Sequence, residues 1–160
     1  AGGFSCVAGG AFVGEHSFSR TLGAGRPSGA DMAEMDVFAD HVAAKLIVRD
    51  TAPVTVGGCD PIRPYYTPRD RHGDSINILK VKPKTDVTKC GGCGLCAARC
   101  PMGSIDPADV SRVNGVCIKC GACVKGCPSG AKYFDDPGYL YHKSELEELY
   151  ARPAKNEVFL

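Results

Sequence analysis

Two short cysteine runs constrain this chain more than anything else in it. Eight of its ten cysteines fall in them: Cys90, Cys93, Cys96 and Cys100, then Cys117, Cys120, Cys123 and Cys127. Both runs read C-x2-C-x2-C-x3-C-P, and each cysteine of the second stands 27 residues after its counterpart in the first. Cysteines this dense serve either a disulfide framework or metal binding, and a repeated, regular C-x-x-C tetrad belongs to metal. Four thiolates suit one zinc ion in an all-cysteine site, or a compact four-iron cluster with one thiolate on each iron. A C-x2-C-x2-C loop reaches three corners of such a cluster and leaves the fourth for a cysteine further off. The iron–sulfur reading is the expectation adopted, and zinc is its rival.

The residues between the cysteines fit that expectation. Gly91, Gly92, Gly94 and Gly121 permit tight turns. Tight turns bring backbone amides close to cluster sulfur, where they stabilise an added electron. Pro101 and Pro128, lacking N–H groups, leave no unpaired donor after the fourth cysteine. Leu95, Ile105, Val116, Ile118, Val124 and Ala131 are expected to keep water off the iron.

The doubled motif resembles that of the bacterial-type dicluster ferredoxins. The resemblance implies two [4Fe–4S] clusters with crossed ligation: Cys90, Cys93, Cys96 and Cys127 on the first, Cys117, Cys120, Cys123 and Cys100 on the second. It also implies a small α+β, ferredoxin-like module with two short helices and two antiparallel strand pairs. The runs CGGCGLCAARCPMGS and CIKCGACVKGCPSGA align as an internal repeat, for which pseudo-two-fold symmetry is expected. The first helix should follow Cys96 or Cys100 and the second Cys123. Because metal binding is folding free energy in so small a module, the iron-free form is expected to be largely unfolded.

Upstream, the apolar run Phe4–Val13 predicts a strand buried on both faces of a parallel sheet, with Cys6 a small core residue. Asp31 and Glu34 form a capping-box pattern for a helix. Met32, Met35, Ala39, Val42 and Leu46 make its apolar stripe. The stretch GGFSCVAGGAFVGEHSFS (residues 2–19), with GAGRPSGADM (23–32) and KPKTD (82–86), resembles the end of the flavodoxin-like half of flavodoxin–ferredoxin fusion proteins. That resemblance makes residues 1–50 the terminal βα (strand–helix) unit of a flavodoxin-like α/β domain whose earlier part is missing here. No Thr/Ser/Gly-rich phosphate loop is present, so FMN is expected only with that N-terminal part. Residues 51–83 read as a Pro-rich linker in which TAPVTV and SINILKV are candidate short strands. Residues 84–138 are the dicluster ferredoxin domain, and 139–160 a C-terminal helix and tail, the helix starting at a Ser144–Glu147 capping box. Cys59 stands outside both tetrads.

The formal net charge of +1 offers no field for nucleic acid. No apolar run reaches the ~20 residues of a membrane span, and no signal peptide opens the chain. A soluble, cytoplasmic protein is the expectation. Within 84–138 basic residues outnumber acidic ones, which suits an acidic docking partner and a raised potential. His16 and Arg26 read as ordinary loop residues. With no nucleophile–base pair in view, the chain is expected to be an electron transfer protein and not an enzyme. It would relay single electrons between redox partner proteins, among them a flavodoxin-like domain or flavoprotein. The alternative makes it the electron-input portion of a flavin-dependent oxidoreductase.

Overall fold

The computed structural model describes residues 3–160. Their elements run β1 (Gly9–Ala11), α1 (Gly29–Ile47), β2 (Lys84–Thr85), α2 (Leu95–Ala98), α3 (Ala122–Lys125), β3 (Lys132–Tyr133), α4 (Pro137–Leu149) and β4 (Glu157–Phe159). They sort into two compact units that do not follow chain order. One holds the chain up to Glu15, Gly23–Tyr65 and Arg152–Leu160; the other holds His16–Leu22 and Tyr66–Ala151.

The first unit is a two-stranded antiparallel ribbon and one long helix. β1 pairs with β4 in the register Gly9↔Phe159, Gly10↔Val158, Ala11↔Glu157. The parallel, doubly buried strand expected over Phe4–Val13 is therefore shortened to three residues in an antiparallel pair, and Cys6 is exposed. A run of small residues without covering layers has nothing to bury against. α1 starts one turn earlier than the Asp31–Glu34 pattern predicts. Ser28 is the N-cap and Asp31 the N3 partner, each side chain accepting the other's backbone N–H. Asp31 is buried under the Arg26 guanidinium, which clamps its carboxylate and holds it well below the usual carboxylate range. Asn156 donates to Asp31 Oδ1 at 2.8 Å and accepts from the Val13 amide at 2.9 Å, tying the C-terminal segment to both. Phe12 meets Phe38 edge-on at 5.7 Å. The expected stripe is covered only in part: Met35 and Val42 are half-buried, as is Phe38 outside it, while Met32, Ala39 and Leu46 stay exposed.

The second unit carries both cysteine runs. β2 pairs antiparallel with β3 (Lys84↔Tyr133, Thr85↔Lys132), and an isolated antiparallel bridge joins Ile105 to Val113. The stretches TAPVTV and SINILKV form no strands; Ser75 makes a lone bridge to Arg69. α4 begins at Pro137 with Asp136 capping the Tyr139 amide at 2.9 Å, seven residues before the expected Ser144 start. Proline at the first helical position after an acidic cap is the stronger start signal. Tyr139, 3% exposed, stacks between Phe134 (4.3 Å) and Phe18 (4.7 Å). The segment His16–Leu22 belongs with these elements. Ser19 donates to Glu147 at 2.6 Å and Arg20 donates to the Val124 carbonyl at 3.2 Å, closing the end of α3. Among the described residues no helix is long and apolar enough to cross a membrane.

Candidate metal centre

Each cysteine run folds the same way locally. A glycine in the left-handed region, Gly94 (φ 71°) or Gly121 (φ 74°), turns the chain into a single helical turn, α2 or α3. An L side chain resists that backbone by about 1–2 kcal/mol, so glycine is the residue that makes the turn easily. The third cysteine of each run, Cys96 or Cys123, sits inside its helix, whereas the sequence placed the first helix after Cys96 or Cys100 and the second after Cys123. Two residues before each turn glycine the backbone is left-handed again, with Gly92 (φ 68°) in one run and Lys119 (φ 56°) in the other.

The eight cysteines surround two cavities, and each cavity takes cysteines from both runs. Cys90, Cys93, Cys96 and Cys127 line one. Cys117, Cys120, Cys123 and Cys100 line the other. Cys59 and Cys6 are exposed and line neither. Among the described residues no three histidine, cysteine or acidic side chains converge on a position for one metal ion. The sulfurs ring a space instead.

The walls differ. Around Cys100, Cys117, Cys120 and Cys123 they are almost wholly apolar, with Pro83, Ile105, Val113 and Phe134, and Ser104 the polar exception. Ser104 is buried; its hydroxyl donates to the Val116 carbonyl at 2.6 Å and its amide to Cys100 Sγ at 3.4 Å. Around Cys90, Cys93, Cys96 and Cys127 the wall includes Thr85, Ser129 and the buried Lys132. Of the residues expected to exclude water, Ile105 and Ala131 are buried, whereas Leu95, Val116 and Ile118 keep substantial exposure.

Sulfur electrostatics follow from these surroundings. Burial pushes the Cys123 thiol up to about 11, with Lys132 pulling against it and thiolate charge at Cys117 and Cys120 adding to it. The fourth cysteine of each run behaves oppositely. Burial resists ionisation of Cys127, yet the Ser129 hydroxyl and the amides of Lys132, Ala131 and Ser129 bring it down to about 7. Burial likewise resists at Cys100, and the amides of Ser104, Met102, Ile105 and Gly103 outweigh it, holding the thiol below its ordinary value. A loop of amides aimed at one sulfur favours the thiolate, the form that binds metal.

Residues 89–132 match the family model described as a 4Fe-4S dicluster domain. This part of the chain is a 4Fe–4S ferredoxin-type module. Comparison with curated proteins and with solved structures found no match.

The donor set fits such clusters: soft thiolates four to a cavity, amides directed at sulfur, and apolar cover. Reading the sequence did not single out Ser104, and it counted Lys132 only as one of the basic residues of 84–138. For Lys132 the signal was available, since the residue 27 positions earlier is Ile105, and an apolar-to-basic exchange beside a ligand is visible on alignment.

Proposed function

We propose that this chain is a one-electron transfer protein holding two [4Fe–4S] clusters on crossed ligand sets, within a pseudo-two-fold pair of repeats. Cys90, Cys93, Cys96 and Cys127 would hold one cluster, and Cys117, Cys120, Cys123 and Cys100 the other. The observation that carries the reading is the pair of separate cavities, each lined by three cysteines of one run and the fourth cysteine of the other. When bound, each cluster supplies a site that takes up and releases a single electron without bond rearrangement.

The chain's own residues do the rest. Amides following Cys100 and Cys127 donate to those sulfurs and stabilise negative charge on them. Ile105, Ala131 and Pro83 shield sulfur from water. The pairing β2–β3 and the packing of α2 against α3 hold the two cavities in one small unit, so a path between them stays within it. Basic residues around the cysteine runs favour an acidic redox partner.

Metal and sulfide analysis of purified protein tests this. About eight irons per chain, with a brown absorbance that dithionite bleaches, is the expected result. Colourless protein with about one zinc per tetrad would make the cavities structural zinc sites instead.

A further inference from the structure

Lys132 is the anomaly in this module. It is 3% exposed, lines the cavity of Cys90, Cys93, Cys96 and Cys127, and directs its ammonium at the Val110 carbonyl. That carbonyl already accepts the Thr85 hydroxyl at 3.2 Å. Among the described residues no carboxylate comes within ion-pair distance of Lys132. Asp109 feels its charge, but lies exposed in a turn with Ser111. A buried ammonium with only carbonyl partners is costly unless an anion faces it. The wall it lines supplies four sulfurs, and the matching wall position of the other cavity is the equally buried Ile105.

We propose that Lys132 is the built-in counter-charge of the cluster held by Cys90, Cys93, Cys96 and Cys127, and that it makes this cluster the higher-potential member of the pair. The proposal rests on the iron–sulfur reading above. An electron arriving from a one-electron donor adds one negative charge and needs no proton. A permanent cation in the wall favours the more negative, reduced form over the oxidised one. Ile105 gives the other cavity no such bias. Lys132 also acts electrostatically on Cys123, so its charge reaches the second cluster as well, although its side chain lines only the first cavity. Lys119, the other buried lysine, turns its ammonium to the carbonyls of Leu79 and Cys117 and is absent from the cavity wall. Electrons entering at the Cys117 side are thereby drawn toward the Cys90 side.

The test is an EPR-monitored redox titration of the iron-loaded protein and its variants, with dithionite as reductant and iron content measured on each sample. In K132M and K132I one midpoint should fall by a tenfold change in the reduced-to-oxidised ratio, ~59 mV for one electron, and the other should move less. K132R should keep the original midpoints. I105K should raise the midpoint of the other cluster and narrow the gap. Full iron content with unchanged midpoints in K132M would overturn the proposal. So would loss of iron in both K132M and K132I together with unmoved midpoints in I105K, which would make Lys132 a strut for Val110 only. Absence of iron from the unsubstituted protein would instead sink the iron–sulfur reading itself, so the two failures are distinguishable.

Discussion

Set side by side, the two cysteine runs share their spacing and their turns but not their surroundings. Gly94 has open space where a Cβ would go; at Gly121 the same Cβ would run into the Ser17 carbonyl. Gly92 is free in its left-handed position, whereas Lys119 occupies the equivalent one and fastens the Leu79 carbonyl. Ser104 braces one wall through the Val116 carbonyl, and its counterpart 27 residues on is Ala131, 1% exposed and without a hydroxyl. One backbone design thus carries two chemically different pockets. The difference arises from what packs on each run: His16–Leu22 and the stretch around Leu79 lie on the second run's side.

The largest effect that probes this comparison is removal of iron. Because each cavity draws on both runs, chelating the metal should abolish hydrogen-exchange protection across Lys84–Asp136 as a whole. Loss confined to one run would mean that the runs fold separately. Next in size is the contrast between the turn glycines. G94A should cost about 1–2 kcal/mol for its left-handed backbone. G121A should cost roughly 2–5 kcal/mol, since overpacking against Ser17 adds about 1–3 kcal/mol to the same backbone cost. Denaturant midpoints of cluster bleaching measure both, and equal midpoints would refute the asymmetry.

Smaller still is S104A. It leaves the carbonyl of the exposed Val116 without its hydroxyl donor, at about 0.5–1.5 kcal/mol. A131S, the converse change in the other run, forces a hydroxyl into a site that is 1% exposed and should not stabilise. The smallest effect is expected for K119G. Glycine relieves the left-handed backbone while the clasp on Leu79 is lost, so net stability should change by less than about 1 kcal/mol. Amide exchange at Leu79–Val81 should nonetheless speed up. Unchanged exchange there would show that the clasp holds nothing.

Much of the metal centre is legible in the sequence alone. The doubled tetrad names eight sulfurs, and the glycines mark where the loops turn. What escapes such a reading is decided by tertiary packing. Ser28 and Asp31 both qualify as caps by type, and the Arg26 clamp on Asp31 makes it the N3 partner. Asp136–Pro137 outcompetes Ser144 because Tyr139 is buried between two rings, which draws that first turn into the core. The His16–Leu22 loop looks like a surface connection in sequence, and no local pattern announces that Ser19 will be buried beside Glu147. Lys132 is one of several basic residues of 84–138 in sequence, and only its neighbours in space set it apart as buried.

The crossed ligand sets are the centre of this account, and two double variants separate them from uncrossed ones. Crossing puts Cys90 and Cys127 on the same cluster, so the C90S/C127S protein should keep about four irons and one reducible EPR signal. It puts Cys90 and Cys100 on different clusters, so C90S/C100S should damage both and keep neither signal intact. The reverse pattern, with one cluster surviving in C90S/C100S and none in C90S/C127S, would contradict it.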